Sequence, residues 1–264
     1  MHEKCDAKRC NDSVVRRHAD VLPQKYQRIK MTKAVGPEEA KEIMDTFRNT
    51  FHHGKWPRKT YAICEFPAVS WIRYKSVGTH AEVSFINDMR QKKIGRTPVK
   101  IKFWINWTPC SSCATKLIQW VTECQGNVQL EIICVGFYFV PRHSRTLSRA
   151  PRIKETYQDV DRAKRKKHDK NLSGLQKLIQ ARPKKIILRM FQRGDLWDLS
   201  VLVTGSQSWW KNLSEKDMNN IEADCVDLDK DLQYIKGTVV TGNQLTSIQC
   251  NYHPNNSCYI SPKV

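Results

Sequence analysis

Four residues stand out as able to do chemistry together. His80 and Glu82 lie in the run Thr79-His80-Ala81-Glu82, and Cys110 and Cys113 in Trp107-Thr108-Pro109-Cys110-Ser111-Ser112-Cys113. As a pattern this is H-x-E, 26 residues, then P-C-x-x-C. Cysteines three apart share one face of a helical first turn, and the positive end of that helix favours thiolate over thiol. His80, at the start of another helix, can supply a third ligand for zinc. Three protein ligands leave one tetrahedral position open, which a catalytic ion needs and a structural one does not. A structural site would need a fourth ligand, for which Cys64, Cys124, Cys134 or His53 are candidates. A catalytic zinc brings the ionisation of a bound water close to neutral pH. Glu82, two residues from His80, is poorly placed to bind the same ion but well placed to take that water's proton and return it to the product.

These residues must be held by a scaffold. Gly36-Pro37-Glu38-Glu39 opens a helix that carries Ile43, Met44, Phe47 and Phe51, before His52 to Pro57 breaks it. Thr60 to Phe66 and Val69 to Tyr74 alternate as strands. Thr79 can cap a helix bearing Val83, Phe85, Ile86 and Met89. Val99 to Trp107 alternates as a strand, and Pro109 opens a helix with Leu117, Ile118 and Val121 on one face. Leu130 to Val140 is dense enough for a central strand covered on both sides. A helix through Leu172, Leu175, Leu178 and Ile179, a strand at Lys185 to Met190, and a helix at Leu196 to Val203 follow. A last helix spans Ser208 to Tyr234, with Trp209-Trp210 seating its start. Alternating helices and strands of this kind build an α/β fold, a mixed sheet layered with helices.

The chain has 264 residues, 45 Lys/Arg against 26 Asp/Glu, and a net charge of +19. Only five of those bases but seven of the acids lie from Gly205 onward, leaving +21 on the first 204 residues. Such a body suits a polyanion, most simply nucleic acid. Residues 1–35 read as a basic, loosely ordered arm, 36–236 as the folded domain, and 237–264 as a polar tail. Within the domain, 141–171 reads as a basic insertion with eleven Lys/Arg and four acids. Its run Lys164-Arg165-Lys166-Lys167 fits a nuclear import signal or a contact for phosphates. The longest apolar run, Ile132 to Val140, is far short of the ~20 residues that span a bilayer, and the first residues lack the apolar stretch of a secretory signal. The expectation is a soluble chain of the nucleus and cytoplasm, with no membrane partner and its ten cysteines reduced. The spacing Cys250-x2-His253-x4-Cys258 offers only three ligands in the tail.

H-x-E…P-C-x-x-C is the signature of the zinc nucleobase deaminases. From about Glu42 to Tyr234 the chain also resembles the AID/APOBEC polynucleotide cytidine deaminases. The residues that carry the likeness are Arg58-Lys59-Thr60-Tyr61, His80-Ala81-Glu82, Asn106 to Cys113, Phe137-Tyr138-Phe139 and Leu175-Gln176-Lys177-Leu178. The lamprey cytidine deaminases, which share the His-Ala-Glu form, are one candidate branch. The resemblance implies a cytidine-deaminase-like three-layer α/β fold, a five-stranded mixed sheet flanked by about six helices. It implies one catalytic zinc on His80, Cys110 and Cys113, with Glu82 moving the proton. Trp107 would wall the pocket, Tyr138 would stack on the target base, and Arg58 and Thr60 would grip that base and its neighbour. Three departures stand out. Asn106 and Thr108 replace two serines of the family block. No Asn occurs in Arg73 to Gly78, where the family often has one that contacts the target sugar. The insertion follows the strand whose loop chooses the preceding base. The expected function is deamination of cytosine to uracil in single-stranded DNA or RNA, DNA favoured, for antiviral defence or gene diversification. The alternatives are a silent zinc centre in a nucleic-acid-binding protein, or a free-nucleoside or tRNA-type deaminase, of which the +21 body disfavours free nucleosides.

Overall fold

The structure, a computed structural model, describes residues 35–52, 59–67, 70–138, 140, 162–181, 185–206 and 213–240. Its strands are β1 (Tyr61–Phe66), β2 (Ser70–Lys75), β3 (Val99–Trp107), β4 (Val128–Gly136) and β5 (Ile186–Met190). They form one sheet in the order β2-β1-β3-β4-β5. β1 is antiparallel to β2 and β3, whereas β4 is parallel to both β3 and β5. The described helices are α1 (Pro37–His52), α2 (Ala81–Gln91), α3 (Ser111–Glu123), α4 (Arg162–Gln180), α5 (Arg193–Thr204) and α6 (Glu215–Val240). The mixed five-stranded α/β architecture expected from the sequence is therefore present.

Successive strand residues point to opposite faces of the sheet, and both faces are covered. Ala62 and Cys64 of β1, Ile101, Phe103 and Ile105 of β3, and Leu130, Ile132 and Cys134 of β4 meet α2, α3 and α4 through Phe85, Met89, Leu117, Trp120, Leu175 and Leu178. Tyr61, Ile63, Trp104, Ile133 and Val135 face the other way, onto Ile43, Met44 and Phe47 of α1 and Leu196 and Leu199 of α5. α6 serves both cores, with Ile221 and Cys225 in the second and Leu228, Leu232 and Ile235 in the first.

The topology gathers the chemistry at one edge. β2, β3 and β4 all run in one direction, so their C-terminal ends lie together, Trp107 opposite Gly136. The start of β1 lies at the same edge, Tyr61 opposite Lys75. α2 leaves from the end of β2, α3 from the end of β3, and Phe137-Tyr138 from the end of β4. Open α/β sheets bind their ligands outside the carboxyl ends of their strands.

Several boundaries differ from the sequence reading. Gly78, at φ +71°, turns the chain so that Val77 and Thr79 bridge, which makes His80 rather than Thr79 the N-cap of α2. β4 ends at Gly136, not Val140. Residues 162–171 of the basic stretch are helical, the first turns of α4. α6 starts at Glu215 because Ser214 caps it, its Oγ accepting the Asp217 N–H at 3.1 Å. It runs on to Val240, past the Tyr234 end expected. Trp209-Trp210, His53 and the Cys250–Cys258 cluster lie outside the described residues. No described helix is long and apolar enough to cross a membrane.

Candidate metal centre and its surroundings

His80 and Cys110 are the N-caps of α2 and α3, in extended backbone, and neither makes a side-chain capping bond. Their side chains turn toward each other instead. His80 Nδ1 lies 3.6 Å from Cys110 Sγ and 3.3 Å from Cys113 Sγ. All three ligand atoms lie within 4.8 Å of one another. Tetrahedral zinc, with bonds of about 2.0–2.1 Å to nitrogen and about 2.3 Å to sulfur, holds such atoms about 3.6 Å apart. The donor set and its spacing fit the ion, so His80, Cys110 and Cys113 form a candidate metal site. His80 is exposed, Cys110 half-buried and Cys113 buried, so the cluster runs from the surface inward.

The thiols respond to their crowding. A hydrogen bond between the two sulfurs pulls Cys110 down to about 5 and pushes Cys113 up. Without a cation, one proton is therefore shared by a sulfur pair that carries a single negative charge. None of the other cysteines considered as ligands joins the cluster. Cys64 and Cys134 are buried in the apolar core, where burial pushes their thiols well up. Cys124 is the C-cap of α3, roughly 20 Å from its N-terminus at 1.5 Å per residue. Among the described residues the cluster has three ligands, not four.

Glu82, in the first turn of α2, is only 4% exposed. Burial pushes its carboxyl up to about 7, and the charge on Cys110 adds to the rise. Its own backbone N–H, His80 and a hydrogen bond with Cys113 pull the other way. A buried carboxyl that titrates near neutrality beside three metal ligands can both accept and return a proton at ordinary pH.

Of the remaining expected site residues, Tyr138 feels the charges of this centre. Trp107, half-buried, packs its ring against Gly136: a Cβ there would stand 2.9 Å from it. Tyr138 is half-buried, and burial, then the charges on Cys110, Glu82 and Cys113, raise its hydroxyl. Lys167 holds its Nζ 5.4 Å from the Tyr138 ring centre. Thr60 accepts the Ser76 N–H on its carbonyl at 2.8 Å, tying the start of β1 to the end of β2. Lys166 and Lys167 are exposed on α4; the side chains of Lys164 and Arg165, and all of Arg58, lie outside the described residues.

The two departures from the family block have structural work. Asn106 is fully buried; its Oδ1 accepts the Tyr61 N–H at 3.0 Å and its Nδ2 donates to the Lys59 carbonyl at 3.3 Å. Thr108, 2% exposed, accepts the Tyr138 N–H on Oγ1 at 2.9 Å. In the stretch that lacks the family's Asn, Lys75 sits 5.2 Å from the Tyr61 ring centre and 3.5 Å from Glu42. Asn171, which the sequence reading passed over, touches both Ser111 and Tyr138. Its one local pattern, the glycosylation sequon Asn171-Leu172-Ser173, says nothing of these contacts.

Residues 54–154 match the family model described as APOBEC3, cytosine deaminase domain, a span of 101 of the 264 residues. It contains β1 to β4, α2, α3 and all of His80, Glu82, Cys110 and Cys113. No curated protein matches the chain. Over the matched span the chain is similar to the AID/APOBEC cytidine deaminases, and its mixed five-stranded sheet is consistent with that fold.

Proposed function

We propose that this AID/APOBEC-like chain is a zinc-dependent enzyme that hydrolyses the C4 amine of cytosine, leaving uracil, in single-stranded polynucleotide. DNA is the favoured strand, and antiviral defence or gene diversification the setting, in nucleus and cytoplasm. The observation that carries the reading is the convergence of His80, Cys110 and Cys113 on one point beside buried Glu82. When bound there, zinc supplies a Lewis acid that makes a water nucleophilic near neutral pH. Glu82 takes one proton of the attacking water and gives it to the ring nitrogen, then carries the second, from the new C4 hydroxyl, to the departing amine. Water and cytosine go in; uracil and ammonia come out. Trp107 forms a wall, Tyr138 is the platform on which the base stacks, and Arg58 and Thr60 hold the strand beside it. Lys164, Arg165, Lys166 and Lys167 meet phosphates, so binding weakens steeply with salt.

Wild type and Glu82→Ala, incubated with single-stranded DNA and RNA holding one cytosine, test this. Uracil from wild type alone, with equal zinc in both proteins, is expected, and on DNA first. Turnover retained by Glu82→Ala refutes the role given to Glu82. Zinc and strand binding without uracil from either protein establishes the silent-centre alternative instead.

A further inference from the structure

We propose that Asn171 is a positioning residue that locks the first turn of α3, and with it Cys110, to Tyr138. The ligand-bearing helix and the aromatic platform then keep a fixed spacing. The role of Tyr138 as platform rests on the functional reading above; the lock itself rests on geometry alone.

A helix leaves its first N–H groups without partners, and the N-cap side chain normally accepts one of them. Cys110 holds the N-cap of α3 and makes no capping bond. Its sulfur faces His80 instead. The N–H of Ser111, the first helical residue, finds its acceptor 60 residues away: Asn171 Oδ1, at 3.1 Å. The other half of the same amide donates from Nδ2 to the Tyr138 carbonyl at 3.2 Å. The orientation of the amide is forced, since an N–H needs the oxygen and a carbonyl needs the NH2 group. Asn171 is 5% exposed, so neither partner is readily replaced by water.

α4 is held tightly enough for this to matter. One turn beyond Asn171, a Cβ on Gly174 would lie 2.5 Å from Ser111 Cα, so the two backbones touch at the same turn that Asn171 caps. One turn before it, Lys167 shares the face of Asn171 and overlies the Tyr138 ring. Thr108 takes the Tyr138 N–H from the other side. Tyr138 is thereby gripped at its amide, its carbonyl and its ring, and the carbonyl grip is the one shared with the metal helix.

Two substitutions separate the two bonds. Asn171→Asp keeps an acceptor for Ser111 and loses the donor to Tyr138; Asn171→Ala loses both. In hydrogen exchange on the full, zinc-loaded chain, Asn171→Ala is expected to speed exchange at Ser111 about tenfold, the factor one buried hydrogen bond carries, and to move the carbonyl 13C shift of Tyr138, which loses its donor. Asn171→Asp is expected to move the Tyr138 carbonyl shift and to leave exchange at Ser111 as in wild type. Affinity for a cytosine-containing single strand, measured on Glu82→Ala chains so that nothing turns over, gives the functional readout. Asn171→Asp should weaken it about tenfold, and by less than twofold once Tyr138→Ala is present. Faster Ser111 exchange in both variants or in neither, a Tyr138 carbonyl shift that moves in neither, or an unchanged penalty on the Tyr138→Ala background overturns the proposal. If the Glu82→Ala chain binds neither DNA nor RNA, the polynucleotide reading fails, and the exchange result still decides the role of Asn171.

Discussion

Gly174→Ala poses two physical effects of opposite sign against each other. In a helix interior, alanine is about 1 kcal/mol better than glycine, and α4 is helical from Arg162 to Gln180. Propensity alone therefore predicts a more stable protein. The new Cβ, however, would stand 2.5 Å from Ser111 Cα, with Ser111 Cβ and Oγ at 3.0 and 3.1 Å. Carbon atoms rest about 3.5–4.0 Å apart, so α3 and α4 must separate by about 1 Å. The atom in the way is backbone, which cannot rotate aside as a side chain would. Overpacking of this kind costs about 1–3 kcal/mol, and a backbone contact sits at the upper end. The net expectation is a loss of about 2 kcal/mol, and for a chain of this size a fall in Tm of roughly 4–8 °C.

Thermal unfolding of the zinc-loaded chain followed by circular dichroism measures this directly. Gly237→Ala is the matched control: Gly237 lies in α6, and a Cβ there meets nothing within 4 Å. It should raise Tm slightly, through propensity alone. Because the displaced residue follows Cys110, Gly174→Ala should also surrender zinc to a chelator several times faster than wild type, whereas Gly237→Ala should not. A rise in Tm for Gly174→Ala comparable to that of Gly237→Ala would refute the close approach of α3 and α4.

Two further outcomes follow from the site. In metal-free protein, Cys110 is a thiolate above about pH 5, so its alkylation by iodoacetamide, resolved by mass spectrometry, should be nearly flat from pH 6 to 8. The rate should fall as pH drops through about 5; an ordinary thiol, near pH 8.5, would instead lose about tenfold per unit below that. Zinc should protect Cys110, while Cys64 and Cys134 stay unmodified in either form because they are buried. Thr108→Val removes the acceptor of the Tyr138 N–H, leaving a part-buried donor unpaired at a cost of about 1–3 kcal/mol. Thr108→Ser, which keeps the oxygen, should restore Tm to within about a degree; equal losses in both variants would show that the methyl group matters and the bond does not.

Legibility in the sequence tracked how local each signal was. Val99 to Trp107 alternates cleanly, and it is the span of β3 in the structure. The four chemical residues were legible for the same reason: side-chain type and short spacing decide what one helical turn presents. β4 was overestimated because the apolar run continues through Phe137 and Tyr138, and period alone does not separate a strand from the loop it feeds. The start of α4 was hidden by charge, since its buried positions near the site are Asn171 and Gly174 rather than an apolar stripe. Asn171 itself could not be singled out: its partners lie 33 and 60 residues away, and only the packing of α4 on α3 brings them within reach.

The arrangement couples metal, stability and loop position through one choice, the use of N-cap positions for ligands. A capping side chain contributes about 1 kcal/mol, and α2 and α3 both forgo it because His80 and Cys110 face the site. A cation bound to the folded chain alone returns about twice that stability, about 4 kcal/mol at a thousandfold excess over its Kd. It cannot by itself set where the surrounding loops stand. Three buried polar side chains do so: Asn106 ties the start of β1 to β3, Thr108 ties the end of β3 to Tyr138, and Asn171 ties Tyr138 to α3. Each joins segments at least 30 residues apart, and each satisfies backbone groups that would otherwise be buried unpaired. Substitutions at these ties should therefore alter substrate handling while zinc remains bound, whereas substitutions at the ligands should remove the zinc with the activity. The two classes are separable by measuring metal content beside strand binding and turnover.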